Sequence, residues 1–453
     1  MKQRNLLQKY SRKAGKEDTK VMWKKIMKPV ISSLLIAVMA AGCGKTGEDA
    51  AGPPEEDEVI LTWAVFETDN YTADVWQHII DAYEADNPGV KIEKVVMTGD
   101  SRPQFLKSML AAGKMPDINI DPVDLAKTDG VYAELPEELL AGYEEDVIPT
   151  YNGKHTLIPA YRALRAQCYY HKDQFREAGI TKEPETWEEF LEVCRKLKDA
   201  GKTPLMGAGS SDIWATGFGF WTGVVNSEIM AKYPDFNEQI LKGELSWTDP
   251  VIVDTLNEWK KMIDAGYYHK GSLSFSSTQA AEEFNSGAAA MYMDGAWSAL
   301  SYDEEGVTTE EIGVFVMPVP SGAKTYCTMP QYWAVSESCE NKEEAFRFCQ
   351  YVLGGNKEIY QYYLKADGTY SVTKEPVTYE MGPIQTEFVK NYEGYELVPE
   401  IMKVAGDTDM PSGFEDFTLR SLQNIFAGAD IKGELSTWDA EMERLKNAEE
   451  GGR

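Results

Sequence analysis

The sequence predicts an α/β fold, and three observations predict it. Over residues 59–120, apolar extended runs alternate with helical stripes in the order strand, helix, strand, helix, strand, the pattern of a parallel sheet covered by helices. A similar alternation restarts near Tyr161. About 410 residues follow Cys43, enough for two lobes of ordinary domain size.

Each element has a local reason. Val59–Phe66 (VILTWAVF) is a continuous apolar run, a strand buried on both faces. Asp74–Asp86 places apolar side chains at 75, 76, 79, 80 and 83, one face of a helix that Asn87-Pro88-Gly89 ends. Val90–Met97 alternates as a second strand, Pro103–Ala112 is a second helix, and Gly113–Pro116 turns into a short strand over Asp117–Ile120. In the second unit Cys168-Tyr169-Tyr170 reads as a strand. Thr186 opens a helix with Glu189 as its capping-box partner, running to Ala200 before Gly201. Asp249-Pro250 opens another, Val251–Ala265, stopped by Gly266. Tyr332–Val335 is a late strand, Lys342–Leu353 a helix, and helices dominate from there.

The N-terminal segment has a different logic. Lys24, Lys25 and Lys28 precede the apolar run Val30–Ala41, too short to span a bilayer, and then Gly42-Cys43. Basic flank, short core and Cys in this order resemble the lipobox of a bacterial lipoprotein. In such a protein residues 1–42 are a signal peptide, with Met22 the more natural start, and Cys43 carries the acyl chains. Gly44–Glu58 (GKTGEDAAGPPEEDE) then forms a flexible tether. The expected location is outside the cytoplasm, lipid-anchored on the outer face of the membrane, with a lean to a Gram-positive cell.

Charge and cysteines exclude several classes. Residues 1–42 hold ten Lys or Arg against two Asp or Glu; removing that +8 from the total of −29 leaves −37 on the remainder. So acidic a body has no basic face for nucleic acid. Cys168, Cys194, Cys327, Cys339 and Cys349 are odd in number and irregular in spacing, which reads as buried thiols rather than a disulfide framework. His78, His155, His171 and His269 show no zinc spacing, so neither metal nor cofactor is expected.

Four ordered segments then carry a resemblance: Ala112–Ile118 (AGKMPDI); Asn152-Gly153-Lys154 with Leu157-Ile158-Pro159; Tyr170–Ile180 (YHKDQFREAGI) with Pro184 and Thr186–Phe190 (TWEEF); and Phe284–Met291 (FNSGAAAM) with Gly295 and Trp297. Together they resemble the extracellular solute-binding proteins of ABC sugar importers, the family that includes maltose-binding protein. His171 replaces a usual Asn, and Arg165–Cys168 is an atypical approach to a strand. The resemblance implies a type II periplasmic-binding-protein fold with a ligand cleft between two lobes. One lobe would take residues 59–160 and about 324–355, the other 161–323 and about 356–453. Crossovers are expected near Pro159–Arg162, near Pro318–Ala323 and after Leu353. It further implies a monomer that closes on a carbohydrate and delivers it to membrane permease subunits, making and breaking no bond.

Sugars offer C–H faces for aromatic stacking and hydroxyl edges for carboxylates, amides and Arg. On that chemistry the candidates are Trp297 after Gly295, where the family often stacks a sugar, and Asp294 just before it, which could equally cap a turn. Trp63 lies towards the end of the first strand, with a core position its alternative; the loop residues Glu67, Asp69 and Asn70 follow that strand, and Asp121 follows the third, at the carboxyl ends that face a crevice. Tyr161 and Arg162 lie at the first crossover, with a hinge-locking salt bridge the alternative for Arg162. Trp214 leads a 214–218–221 aromatic series that is also core spacing; Tyr332 and Trp333 precede a strand; Phe414 follows Pro411-Ser412-Gly413. The open alternatives are the same fold binding a polyamine or peptide, a surface receptor without a transporter, and a glycoside hydrolase. For the last, no motif isolates a carboxylate pair.

Overall fold

The computed structural model describes residues 58–99, 101–210, 212–303 and 311–451; the expected signal peptide, Cys43 and nearly all of the expected tether lie outside them. Within the described residues ten strands make two sheets. The first contains β1 (Val59–Val65), β2 (Val90–Val96), β3 (Ile118–Ile120), β4 (Ile158–Leu164), β9 (Thr325–Val335) and β10 (Glu396–Pro399). Its order is β10-β9-β3-β1-β2, with β4 paired along β9. β1 lies parallel to β2 and β3 as the alternation predicts, whereas β9 enters antiparallel to β3. The second sheet has the order β6-β7-β5-β8, from β6 (Leu205–Met206), β7 (Met291–Asp294), β5 (Gln167–His171) and β8 (Ile312–Phe315).

Side-chain alternation explains how the second sheet is buried on both faces. Cys168, Tyr170, Met291, Met293 and Phe315 join one core. Their neighbours Tyr169, Tyr292 and Val314 join another on the opposite face. The first lobe is centred on aromatic packing: Trp63 lies 5.2 Å from Trp76, 5.0 Å from Trp333 and 5.0 Å from Phe348 between ring centroids.

The helix starts are the most local features and form as their residues dictate. Thr72 accepts from Val75 N–H at 3.4 Å and opens Ala73–Asp86. Asp249 accepts from Val251 N–H at 2.9 Å and opens Pro250–Asp264. Thr186 caps Trp187–Asp199, but Glu189 reaches back to Glu185 N–H at 2.8 Å, one residue beyond the expected box. The reciprocal capping box is at Ser276 and Gln279.

The chain crosses between cores later than expected. Ala163 belongs to the first core and Leu164 to the second lobe, so the first crossing follows Arg162 rather than preceding it. The second falls between Tyr326 and Met329, inside β9. The third lies beyond Tyr379, not after Leu353. Residues 359–379 therefore pack with the first lobe, correcting the boundary at 356. Tyr363 stacks on Tyr71 at 5.3 Å, and Tyr360 donates its hydroxyl to Ala160 O at 2.8 Å. Between the lobes, residues 329–332 of β9 have β4 as their single strand partner, since β10 ends at 328 and β3 begins at 333. This two-strand ribbon carries Pro159 and Pro330, tolerated where a strand edge needs no donor, and a register shift between Pro159 and Tyr161.

One packing detail positions the site. The helix Ile213–Gly217 runs into a π-helical segment, Phe218–Val225, that lies directly on β7. At Gly219 a Cβ would sit 2.2 Å from Met293 Cβ, so only glycine permits the approach. Gly219→Ala is expected to cost about 1–3 kcal/mol of unfolding free energy by overpacking. Urea denaturation checks this; an unchanged midpoint would show that the segment sits more loosely.

Candidate functional site

The second lobe presents an aromatic wall. Trp214 and Phe218 lie one turn apart across the α-to-π transition, a backbone feature that often marks functional segments. Trp297 follows β7. The Trp297 ring is 5.1 Å from Phe218 and 6.0 Å from Trp214, and Trp214 meets Phe218 at 5.6 Å. Trp297 is half-buried and Trp214 is 40 % exposed, so the wall keeps open ring surface. The Trp297 indole folds over Gly295, where a Cβ would be 2.3 Å from the ring. Asp294 anchors this loop, accepting from Gly295 N–H at 2.9 Å and Ser298 Oγ–H at 2.6 Å. Behind Phe218 the Arg165 guanidinium stacks at 4.5 Å, and its Nε lies 2.7 Å from Glu400.

The first lobe contributes a polar counterpart. Thr68 Oγ accepts from Asn70 N–H (3.2 Å) and Tyr71 N–H (2.9 Å), which shapes the loop after β1 and leaves Glu67 and Asp69 exposed. Asn70 Nδ2 donates to Asp367 at 3.0 Å. Arg102 covers the Phe66 ring at 3.7 Å and approaches Asp121 at 3.5 Å. Asp121 holds φ at 59°, a left-handed conformation unusual for a residue with a Cβ. The two walls meet at Gly368, where a Cβ would stand 3.0 Å from the Ala296 carbonyl oxygen.

A polar seam continues along one flank. Tyr151 donates to Asp409 at 3.0 Å, Ser412 to Asp124 at 2.8 Å, and Lys107 pairs with Asp124 at 2.5 Å. The cavity there, bounded by Asp124, Lys127, Asp409 and Glu415, has about 30 Å³, room for a water rather than a solute. Among the described residues no group of three or more His, Cys, Asp or Glu is placed to hold a metal ion, and no helix is long and apolar enough to cross a membrane.

Burial sets the electrostatics of the site. It raises Asp294 to about 6, against the lowering influence of Ser298, the Gly295 N–H, Trp297 and Arg165. It likewise raises Asp367 to about 6, with Asn70 and Arg102 opposing and the nearby Asp294 charge adding to the rise. Glu415, 2.5 Å from Lys403, is also pushed up by burial and by Glu400, despite that lysine.

Of the residues the sequence singled out, Trp297, Trp214 and Asp294 stand together on the second lobe, and Asn70 and Asp121 stand on the first beside exposed Glu67 and Asp69. Four others are corrected. Trp63 and Trp333 are fully enclosed in the first core, Tyr332 is 2 % exposed beside them, and Phe414 is packed on Trp247 at 5.4 Å in the second. None offers a ring face to a solute. Tyr161 is buried against Tyr363 at 5.7 Å. Arg162 is paired with Asp146 at 2.8 Å and Glu144 at 3.5 Å beside the ribbon. Sequence reasoning passed over Phe66, Arg102, Arg165 and Asp367 as site residues. Arg165 alone left a trace, as the atypical approach to β5; Asp367 follows a helix with nothing local to mark it.

Comparison with known proteins agrees with this architecture. The family model described as bacterial extracellular solute-binding protein matches residues 69–354. The chain is 25 % identical over 350 residues to the multiple sugar-binding protein of Streptococcus mutans, covering 74 % of this chain and 79 % of that one. Among solved structures it resembles a chitin oligosaccharide binding protein (TM-score 0.73, 23 % identity, 86 % and 99 % of the two chains). It also resembles a sugar transporter from Bacillus licheniformis in complex with stachyose (TM-score 0.67, 20 % identity, 85 % and 100 %). These relatives and neighbours are named as binding or transport proteins.

Two expectations follow from the geometry. Gly295→Ala must displace the Trp297 indole, which near-UV circular dichroism would report as a changed aromatic band while the far-UV spectrum stays the same. An unaltered near-UV spectrum would refute the fit. Because Asp294 and Asp367 bind protons more tightly in the folded than in the unfolded chain, their contribution to stability grows as pH falls. The gain runs from about pH 7 down towards the ordinary carboxylate range. The melting temperature should therefore be higher at pH 5.5 than at pH 7.5, and in the Asp294→Asn, Asp367→Asn double variant that rise should shrink.

Proposed function

Since the chain belongs to the bacterial extracellular solute-binding protein family, we propose that it captures a carbohydrate of oligosaccharide size between its lobes and delivers it to the permease of an ABC importer. The observation that carries this reading is the open aromatic wall of Trp214 and Trp297, seated on buried Phe218, with the first-lobe acceptors Asp367 and Asn70 on the other side of the Gly368–Ala296 contact. Stacking on the indoles removes the apolar face of a pyranose from water, while the Asp367 carboxylate accepts from its hydroxyls in a bond strengthened by charge. Trp214 extends the wall past Trp297, giving a second sugar unit a surface of its own.

Closure belongs to the ribbon. Over 329–332 β9 pairs with β4 alone, and the Arg162–Tyr370 bridge adds a single pair beyond β4, so this narrow link bends more readily than either sheet. A sugar touching both walls favours the closed arrangement by its extra contacts there, and the closed shape is what a permease can distinguish from the empty one. Residues 1–42 act as a signal peptide and Cys43 as the lipid anchor, holding a monomer on the outer face of the membrane, in keeping with a Gram-positive cell. No bond is made or broken and no cofactor takes part.

The test is calorimetry of the purified chain against neutral oligosaccharides, with polyamines and short peptides alongside. A saccharide at 100 times its dissociation constant should stabilise the fold by about 2.7 kcal/mol. Trp297→Ala should weaken that binding by about 2 kcal/mol while leaving the apo melt near that of the parent. Trp63→Ala should instead cost about 3–5 kcal/mol of stability. Binding confined to polyamines or peptides would overturn the carbohydrate reading.

A further inference from the structure

We propose that Arg165 is a sugar-binding residue: the two terminal nitrogens of its guanidinium donate to a pair of adjacent hydroxyls on the sugar unit that stacks against Trp297. This rests on the carbohydrate reading and deepens it. It names a contact at the hinge end of the cleft and the hydroxyl pattern which that contact selects.

Everything about this side chain is held except its fork. Arg165 follows β4 directly, and its backbone is fixed from both sides. Its N–H donates to Cys327 O at 3.2 Å, and its carbonyl accepts from the Tyr326 hydroxyl at 2.6 Å. Nε lies 2.7 Å from Glu400, which is 3 % exposed and whose own N–H donates to Thr328 O at 2.9 Å. The guanidinium carbon rests 4.5 Å from the centre of the Phe218 ring, a favourable cation–aromatic contact, and that ring is 5.1 Å from Trp297. Arg165 is only 8 % exposed. Neither Nη1 nor Nη2 makes a hydrogen bond to a described residue, and, unlike Nε, neither is sealed from solvent.

Open donors on a buried cation call for an acceptor. A solute seated on the wall takes the fork out of water, and a charged donor that loses water without gaining a partner is costly. The neighbouring carboxylates do not serve. Both oxygens of Asp294 are bonded within their own loop, to Gly295 N–H and Ser298 Oγ–H, and Asp367 accepts from Asn70. The Arg165 charge still favours the ionised form of both, Asp294 on the second lobe and Asp367 on the first, in keeping with a fork that looks into the space between them. Two neighbouring oxygens meet a planar fork with two parallel N–H bonds, which a single hydroxyl cannot do. Glu400 already balances the charge, so a neutral diol fits where a carboxylate would set a second negative charge beside a buried acid.

The experiment is calorimetry of the full chain with neutral and uronate tetrasaccharides on β-1,4-gluco, α-1,4-gluco and α-1,6-galacto backbones, then with monodeoxy analogues of whichever binds. In the parent, removing either hydroxyl of one adjacent pair should weaken binding about tenfold or more. Two variants complete the cycle. The Arg165→Met, Glu400→Gln double variant removes the fork together with the charge it balances, and Arg165→Lys keeps a charge for Glu400 without the fork. In each, the unmodified sugar should bind about tenfold or more weakly, and the same deoxy analogues should lose about threefold or less beyond that, a coupling that a mere prop beneath Phe218 would not show. Either variant alone suffices, so a fold lost in one leaves the test standing. Deoxy losses as large in the variants as in the parent reduce Arg165 to a support of the ring and overturn the contact. A parent indifferent to every single deoxygenation overturns it too, and the carbohydrate reading survives both results. Binding confined to a uronate puts a carboxylate in the fork and overturns the diol. Silence from every saccharide overturns the carbohydrate reading itself, and with it this one.

Discussion

Backbone pairing between β4 and β9 is the interaction on which both lobes depend. β9 bonds to β3 at one end and to β10 at the other, and its middle is left to β4. Continuous strands thus join two separately buried cores through a ribbon two strands wide. Such a link fixes the register of the lobes through its hydrogen bonds, to which the Arg162–Tyr370 bridge adds one pair on the outer edge of β4. Arg165 sits immediately past β4 and is tied to Glu400 immediately past β10. The guanidinium then supports Phe218, so the aromatic wall is seated on residues leaving the ribbon.

The site is assembled from side chains that the cores did not claim. The first lobe encloses Trp63, Trp76, Trp333 and Tyr363 in mutual edge and face contacts, the ordinary way for large rings to exclude water. The second lobe encloses Trp221, Trp247 and Trp438 in the same manner. Trp214 and Trp297 differ because of backbone geometry. The α-to-π transition turns Trp214 out while Phe218 stays in, and Gly295 makes room for the indole to lie over the loop. Asp294 and Asp367 resist ionisation through burial, and Asp367 also through the Asp294 charge; perturbed groups of this kind concentrate at functional sites.

Much of the fold was legible. Thr72, Thr186 and Asp249 cap the helices expected of them because a cap needs only its own side chain and the N–H two or three residues on. The parallel β1, β2 and β3 were legible from apolar runs separated by helical stripes. The lobe boundaries were not, because β4 and β9 run through them with no turn, glycine or charge run to mark the crossing. The segment 359–379 was misplaced for a related reason: the amphipathic pattern says that Tyr360 and Tyr363 face a core, but not which core.

The sequence by itself determined the α/β class, the element order, the helix starts and the family, since each is written in periodicity, caps or ordered motifs along the chain. It determined also that aromatic rings and carboxylates would be plentiful. Which of them would face the cleft was decided only by tertiary structure. Trp63 and Trp297 are chemically the same residue, and what separates them is whether Trp76, Trp333 and Phe348 close around the ring or a glycine loop leaves its face open. Asp367 and Asp294 are 73 positions apart in the sequence and on different lobes. Folding brings Gly368 against Ala296 and so places Asp367 within reach of the Asp294 charge, a proximity that leaves no local trace in the chain.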